Sequence, residues 1–555
     1  MKYILQATAL LFGFSTFAQD ESDFYRVENQ DWANVKEVFI ADHIKENDEA
    51  IARWNYALEF RYDDDNGFYL YKLNHKQIWI GSNEAIENNN KIYLPTSNAV
   101  EVIELKARAI LPDGAVTLLD DDDVNEGVDE DDNKYNYFAL EGLTKGSVVE
   151  YYFITKEYPS IKGNKLAFQT DIPIYNLAYD LVSPGNLYFE SKSYNGIQQA
   201  ERDTVLEYQN RLFVRQDTLP ELKVQPMSNR SANRGSVVYK LDVNTYSGDK
   251  DISSFAYACE RIYSNVNVER KKSIDKKLRT LLKYSGLEEG KTEREKVIFL
   301  ENYIKENYFN VQQGGDDYST IEGILKTKAM SEIGTFRLYD GLLDVAGISY
   351  NMVFTCDKSK WKFDAEFENQ LSISDGLLYF PNSDLFIDPM NILSRGSFVD
   401  YDLLDNQGVF IDAVDIGDGF IGFGEVKNIK GHTAEESVAD QTIHWTFDPE
   451  TETGEIKLTK KSTGYSTYNY QLITDLVPAD ELEEFKKNIV KSSFGEMELK
   501  DLTFENLSAD KFPFEPLTIN ATLPAEEFIE PSANSYVIKL GEVIGKQSEL
   551  YVVDS

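Results

Sequence analysis

The spacing of apolar residues changes from a period of two to a helical period near residue 250. Before that point, aromatic and aliphatic residues alternate with polar ones, as they do from Trp54 to Tyr62. The pattern predicts strands at residues 54–62, 68–73, 100–111, 148–155, 175–182, 187–193, 212–216 and 237–243. This part of the chain contains many predicted strands, separated by turn signals, and few helical stretches. We therefore predict a β-sandwich domain at residues 19–245, with a helical lead-in within residues 22–50.

Beyond residue 250 the apolar residues lie three and four positions apart, which is typical of helices. This pattern predicts helices at residues 252–266, 274–285, 293–307 and 331–345. Ser331 should be the N-cap of the last of these helices, and Gly347 should end it. Strands are expected at residues 350–356, 370–374, 377–380 and 385–387. Helices followed by strands predict an α+β core at residues 250–415.

The remaining residues, 416–555, predict a C-terminal β-rich domain. Strands are expected at residues 442–447 and 455–460, a helix at residues 479–490, and strands and turns over residues 535–553. The predicted fold class is therefore α+β and multidomain.

The charge of the chain excludes several classes of partner. It contains 56 Lys and Arg against 95 Asp and Glu, a formal net charge of −39. Such a chain repels phosphate, so we expect neither a nucleic acid nor an anionic lipid surface as partner. The acidic runs at residues 120–123 and 129–132 lack the Gly and Glu positions of a calcium-binding loop. They predict a solvated surface, and we expect no metal and no cofactor.

The N-terminus is typical of a secretory signal peptide at residues 1–18. Lys2 supplies the positive charge, an apolar run follows from Ile4 to Phe17, and cleavage is expected between Ala18 and Gln19. The run is too short to span a membrane, and no cysteine follows it that could carry a lipid. These features predict a periplasmic or secreted protein without a membrane span.

Two further stretches carry a family resemblance. The first comprises LKARAILPDG at residues 105–114, YFALEG at 137–142, GSVVEY at 146–151 and FQTDIP at 168–173. The second comprises LLDVAGI at residues 342–348 and FIDP at 386–389. Together they resemble a bacterial family of exported transglutaminase-like proteins, in which an N-terminal β domain of unknown function precedes the core. The resemblance covers residues 40–415 and implies a papain-like, transglutaminase-like core.

The C-terminus also resembles this family. The segment GEVIGKQSELY at residues 541–551 is similar to one that, in the family, continues into a further strand-rich region. The resemblance therefore implies either a short family member or an incomplete C-terminal domain.

The resemblance implies a catalytic triad that this chain lacks. Transglutaminase-like chemistry needs a thiolate, an imidazole that deprotonates it and an acid that orients the imidazole. The family positions fall on Glu332 for the thiol, Gln370 for the imidazole and Asp388 for the acid. An amide has no useful basicity. No histidine lies between residues 76 and 431, since the four are His43, His75, His432 and His444. We therefore predict a pseudoenzyme.

Simpler structural roles remain open for the same residues. Glu332 suits the positive end of a helix dipole, and Asp388 before Pro389 is a common turn residue. Cys259 and Cys356 are either bonded to each other or, at least as readily, two buried thiols. His75 is expected to be a surface or hydrogen-bonded residue.

The function predicted from sequence is non-catalytic binding of a peptide, a polysaccharide (glycan) or an exported protein partner in the cleft near Glu332, Gln370 and Asp388. One alternative is a hydrolase that uses the carboxylates of Glu332 and Asp388. A second alternative is an active transglutaminase-like or cysteine-protease-like enzyme with an unrecognised nucleophile, for example Cys356 with His432 or His444. A purely structural scaffold is the third.

Overall fold

The computed structural model describes residue 27, residue 38 and residues 40–544, apart from residues 64–66, 130–133, 204–207, 224, 226–227, 313, 418, 495–499 and 534. The predicted signal peptide and residues 545–553 lie outside the described residues. The chain divides into two compact units. The first unit contains the chain up to Lys223 together with Arg234–Lys250, and the second contains Val224–Asn233 and everything from Asp251 onward.

The first unit is built from strands. The helices among its described residues are α1 (Asp42–Lys45) and α2 (Asn83–Asn89). Its strands are β1 (Glu49–Tyr62), β2 (Phe68–Ile80), β3 (Lys91–Leu94), β4 (Ala99–Ile110), β5 (Val116–Leu118), β6 (Asn125–Val128), β7 (Lys134–Ala139), β8 (Ser147–Glu157), β9 (Asn164–Ala167), β10 (Ile174–Pro184), β11 (Leu187–Tyr194), β12 (Glu201–Asp203), β13 (Gln209–Leu219) and β14 (Ser236–Asn244).

These strands form one large sheet and two small ones. The large sheet has the order β12-β13-β10-β1-β2-β8-β4-β5, and the small sheets have the orders β11-β14-β9 and β3-β7-β6. Strand β1 pairs antiparallel with β2 and parallel with β10. Alternation places Phe60 of β1 against Phe189 of β11, with ring centroids 4.4 Å apart. Every strand predicted between residues 54 and 243 is present, and most are longer than predicted. The arrangement of these sheets as a β-sandwich remains a prediction.

The second unit combines helices and strands. Its helices are α3 (Arg230–Asn233), α4 (Phe255–Val266), α5 (Lys272–Tyr284), α6 (Glu293–Asn307), α7 (Asp316–Ser319), α8 (Ile321–Thr327), α9 (Glu332–Ala346), α10 (Tyr468–Thr474), α11 (Leu482–Phe494) and α12 (Leu540–Ile544). Its strands are β15 (Phe309–Asn310), β16 (Ala329–Met330), β17 (Asn351–Thr355), β18 (Asp375–Phe380), β19 (Leu385–Ile387), β20 (Asn406–Asp415), β21 (Phe420–Ile429), β22 (Ala439–Asp448), β23 (Thr453–Ser462), β24 (Asp501–Glu505), β25 (Leu517–Pro524), β26 (Ile529–Ser532) and β27 (Ser535–Ile538).

Helix α9 is the centre of the predicted core region. It packs against α4, α5, α7 and α8, and most of its residues from Gly334 to Leu343 are buried. The five-stranded sheet beside it has the order β19-β18-β17-β20-β21. A four-stranded sheet of order β22-β23-β25-β24 follows later in the chain. The α+β, strand-rich and multidomain class is thereby confirmed, while the papain-like core remains a prediction.

Two local predictions for the second unit were wrong. Residues 370–374 do not form a strand, because Gln370–Ile373 is a 3₁₀ helix. The Oδ1 of Asn369 accepts a hydrogen bond from the N–H of Leu371 at 2.9 Å, and this contact turns the backbone away from an extended course. The C-terminal region also contains two helices that were not predicted, α10 and α12, in addition to α11.

Within the described ranges, no helix is both long enough and apolar enough to cross a membrane.

Candidate functional site

Helix α9 holds Glu332 in its first turn. The Oγ of Ser331 accepts a hydrogen bond from the N–H of Gly334 at 3.3 Å, which confirms the predicted N-cap. A Cβ at Gly334 would lie 2.0 Å from the carbonyl oxygen of Tyr318, so only glycine allows this close approach. At the other end, Gly347 stops the helix with a left-handed φ of 68°. Glu332 is therefore fixed where the helix dipole favours a carboxylate.

A hairpin brings two more carboxylates to one place. Strands β18 and β19 pair antiparallel, with Leu378 opposite Ile387. Asp375 begins β18 and Asp388 comes directly after β19, so both lie at the same end of the hairpin. The Oδ1 of Asp388 accepts the backbone N–H groups two and three residues further on, at 2.9 and 3.0 Å. This turn holds the Asp388 side chain in a single orientation.

Glu332, Asp375 and Asp388 line one cavity of about 400 Å³. The other lining residues are Asp357, Lys360, Ser374, Gly376, Met390, Asn391, Asp400 and Leu403. Five carboxylates therefore surround this cavity with a single ammonium group. The set of lining residues contains no aromatic ring, no thiol and no imidazole.

One of these carboxylates is already neutralised. The Nζ of Lys360 lies 3.0 Å from Oδ2 of Asp357, and the N–H of Ser359 donates to Oδ1 at 2.9 Å. Burial acts to raise the pKa of Asp357, but the hydrogen bonds from Ser359 and Lys360 hold it below its ordinary value. The ammonium group of the cavity is therefore paired with Asp357.

Two other carboxylates have free acceptor capacity. Asp388 is only 7% exposed, and burial raises its pKa, against the opposing effects of the Lys305 ammonium and the two backbone N–H groups. Its Oδ2 accepts no hydrogen bond from any residue that the structure describes. Glu332 is exposed, and its carboxylate likewise has no hydrogen-bond or ion-pair partner among the described residues. Both groups can therefore accept hydrogen bonds from a ligand.

A buried ion pair lies beneath the loop that carries Asp388. The Nζ of Lys305, on α6, donates to Oε1 of Glu301 at 2.7 Å and to O and Oγ of Ser394 at 2.9 and 2.8 Å. The second oxygen of Glu301 accepts the N–H of Gly396 at 2.7 Å. These bonds fix the loop that follows Asp388 to the helix below it.

The two thiols are far from reactive. Cys259 and Cys356 are free and buried, and burial raises the pKa of each to about 12. The Sγ of Cys356 donates to the carbonyl oxygen of Trp361 at 3.4 Å. Of the two open alternatives, the structure has the buried thiols and not the disulfide. Neither thiol could act as a thiolate at neutral pH.

The histidines are engaged elsewhere or exposed. His75 lies 2.9 Å from Oε1 of Glu150, which confirms the expected hydrogen bond. The two ring nitrogens of His432 contact Glu436 and the carbonyl oxygen of Ser397, at 3.0 and 2.8 Å. Both nitrogens of His432 therefore already have partners. Neither residue belongs to the cavity lining.

The structure brings together two of the three residues predicted from sequence. Glu332 and Asp388 line the cavity, whereas Gln370 lies in the 3₁₀ helix and is not one of the lining residues. Asp375 was missed, together with Asp357, Lys360 and Asp400. A signal for Asp375 existed, because the first residue of β18 must lie near the end of its antiparallel neighbour, where Asp388 follows β19.

No cluster of three or more His, Cys, Asp or Glu side chains with metal-binding geometry occurs in the part of the chain that is described.

Comparison with known proteins gives the following. No family model matches the chain, and no curated protein matches it. A crystal structure from Parabacteroides distasonis, provisionally described as a protease, is similar with 10% identity and a TM-score of 0.47, covering 86% of this chain and 93% of that one. The crystal structure of a TGase is similar with 12% identity and a TM-score of 0.17, covering 39% of this chain and 52% of that one.

Both similarities are too low to support a functional argument. The chain spans about half the length of the TGase structure. The function is therefore argued from the cavity itself.

Proposed function

We propose that the cavity at the N-terminus of α9 is a non-catalytic binding site for a cationic side chain, Lys or Arg, of a peptide or an exported protein partner. The observation that carries the proposal is the pairing of free acceptor capacity on Glu332 and Asp388 with a lining that contains no thiol and no imidazole. The predicted signal peptide supports a location in the periplasm or outside the cell.

Charge favours a cation over other ligands. Five carboxylates and one ammonium group line the cavity, and the ammonium group is paired with Asp357. An ammonium or guanidinium group would donate charge-assisted hydrogen bonds to Glu332 and Asp388. A partly buried carboxylate such as Asp388 gains more from such a bond than one in bulk water. An anionic ligand would be repelled by the same groups.

The lining also disfavours a sugar. Protein sites for sugars commonly stack a ring on an aromatic side chain, and the lining residues include none. A volume of about 400 Å³ accommodates one or two side chains rather than a long polymer segment. Of the ligands predicted from the sequence, a peptide or protein segment fits best.

The absence of catalysis is proposed on the chemistry of the available nucleophiles. Both thiols have a pKa of about 12 and neither lines the cavity. A protonated, buried thiol does not attack a carbonyl group. The pseudoenzyme interpretation is supported by this chemistry and by a cavity lining that contains no imidazole.

The test is a binding measurement with paired peptides. A fluorescent peptide with a central Lys should bind the full chain, and the same peptide with norleucine there should bind at least tenfold more weakly. Glu332→Gln and Asp388→Asn should each weaken binding of the Lys peptide by a similar factor. Glu322→Gln removes an exposed carboxylate outside the cavity and should leave binding unchanged. Equal affinity for both peptides would overturn the proposal.

Binding should also depend on pH in a defined direction. The carboxylates must be ionised to hold a cation, and burial raises the pKa of Asp388. Affinity for the Lys peptide should therefore be full at neutral pH and fall as the pH drops through the pKa of Asp388. Affinity that rises on acidification would contradict a carboxylate site.

The carboxylate hydrolase is the second candidate. It is favoured by the contrast between buried Asp388, whose raised pKa suits a proton donor, and exposed Glu332 in the same cavity. Turnover of peptide or glycoside substrates that disappears in both Glu332→Gln and Asp388→Asn would establish it. Turnover that Cys356→Ala abolishes would instead establish the thiol enzyme.

A further inference from the structure

Three tyrosine side chains share the outer face of the small sheet β3-β7-β6 in the first unit. Tyr93 of β3 pairs directly with Tyr137 of β7, and Tyr135 lies two residues earlier on β7, so all three project from one face. The neighbouring pair on the opposite face, Ile92 and Phe138, is buried. The inner face of this sheet therefore supplies its core contacts, and the tyrosines lie outside that core.

The three rings contact one another and together form what we call the tyrosine surface. The ring centroids of Tyr93 lie 5.7 Å from those of Tyr135 and 5.9 Å from those of Tyr137, and the last two are 6.0 Å apart. Gly127 of β6 leaves room for the Tyr135 ring, because a Cβ there would lie 2.5 Å from its Cζ. Tyr93 is 57% exposed and the other two are half-buried. A contiguous exposed aromatic surface of this kind is typical of a binding site.

Hydrogen-bonding groups border these rings. The exposed Lys91 places its Nζ 4.0 Å from the centroid of the Tyr137 ring and 5.0 Å from that of Tyr93. The hydroxyl groups of Tyr135 and Tyr137 make no hydrogen bond with any residue that the structure describes. Each of these hydroxyls can donate one hydrogen bond and accept others. The tyrosine surface therefore offers apolar ring faces and polar groups side by side.

Charge favours a neutral ligand at this place. Exposed carboxylates lie on β6 and shortly before it, at Asp122, Asp123 and Glu126, and the chain has a net charge of −39, so an anionic polymer is repelled. The ammonium group of Lys91 already lies against two of the rings and repels a second cation there.

We propose that the tyrosine surface and Lys91 form a binding site for a neutral polysaccharide. The C–H groups on the face of a sugar ring pack against an aromatic ring, and the sugar hydroxyls exchange hydrogen bonds with the phenol and ammonium groups. Rings 5.7–6.0 Å apart allow neighbouring sugar units of one chain to be contacted together. This site belongs to the first unit and is additional to the cation site proposed for the cavity of the second.

The test is affinity electrophoresis of the full chain in native gels that contain dextran, laminarin or glucomannan, with alginate as the anionic comparison. The negative net charge drives migration, and binding to the immobile polymer slows it. At least one of the three neutral polysaccharides should retard the protein, whereas alginate should not. Retardation by none of the three, or equal retardation by alginate, would overturn the proposal.

Variants at the central ring complete the test. Tyr137→Ala should weaken binding by about tenfold, whereas Tyr137→Phe keeps the ring and should stay within about threefold of the wild type. Tyr246→Ala removes another tyrosine of the same unit, 90% exposed, and should leave binding unchanged. If Tyr137→Ala fails to fold, Tyr93→Ala replaces it with the same expectation. Glu332→Gln should keep full retardation, which separates this site from the cavity. Equal retardation of the wild type and the alanine variant would overturn the proposal.

Discussion

Two groups of charged side chains in the second unit differ in how completely their hydrogen-bonding groups are satisfied. In the pair below the Asp388 loop, all three donors of Lys305 are used, and both oxygens of Glu301 accept a hydrogen bond. In the cavity, Glu332 and one oxygen of Asp388 have no partner among the described residues. Buried charges that serve the fold are satisfied internally, whereas charges left with open acceptors are available to a ligand.

The largest expected effect comes from breaking the satisfied pair. Lys305→Met leaves the Glu301 carboxylate buried without its cation, so the free energy of unfolding should fall by about 3–5 kcal/mol. Urea denaturation followed by circular dichroism measures this loss. The double variant Glu301→Leu/Lys305→Met should recover part of it, because no unpaired charge remains. A single variant that costs less than about 1 kcal/mol would show that the pair is not structural.

Removing the cap of α9 should have a smaller effect. Ser331→Ala leaves the N–H of Gly334 without its acceptor, and we expect a loss of about 1 kcal/mol in unfolding free energy. Ser331→Thr keeps the hydroxyl and is the matched control. If the two variants are equally stable, the side-chain cap contributes nothing to the stability of the fold.

Asp388→Asn should change the pH dependence of stability. Because burial raises the pKa of Asp388, its ionised form destabilises the folded state at neutral pH. The variant keeps the Oδ1 acceptor and should be at least as stable as the wild type at pH 7. Its advantage should shrink as the pH falls and vanish below about pH 4, where the wild-type carboxyl is protonated in both states. Denaturation curves across pH 3–8 measure this change. A stability advantage of Asp388→Asn that grows on acidification would contradict the raised pKa of Asp388.

The smallest stability effect is expected at Glu332. Glu332→Gln changes an exposed side chain without partners, so its unfolding free energy should stay within about 0.5 kcal/mol of the wild type. The same variant should lose affinity for the Lys peptide. Thermal unfolding and peptide binding measured on one preparation separate the two properties. A parallel loss of both would remove the contrast between the cavity and the pair beneath it.

Much of the fold could be predicted from the period of the apolar residues. The helix Glu293–Asn307 has its predicted bounds, and α9 begins after the predicted cap. Strong periodicity, a capping residue and a terminal glycine are all local signals. The segment at residues 370–374 is too short for its apolar period to distinguish a strand from a helical turn. There the side-chain contact of Asn369 with the N–H of Leu371 favours a 3₁₀ helix.

The lining of the cavity could be predicted only in part, because several of its residues lie on loops. Glu332 and Asp388 are tied to a helix start and a strand end, which sequence landmarks locate. Asp357, Lys360 and Asp400 reach the cavity from loops, and their positions depend on tertiary packing.

The parallel pairing of β1 with β10 has a consequence for how the first unit folds. Ile51 pairs with Ile174, so the central strand of the large sheet acquires its second neighbour only after more than a hundred further residues. Contacts so distant in sequence close slowly, since a long loop must be ordered before the pairing stabilises it. During synthesis the hairpin of β1 and β2 therefore has both outer edges unpaired until β8 and β10 have been made. The first unit should therefore be the slow step in refolding and the one most exposed to aggregation.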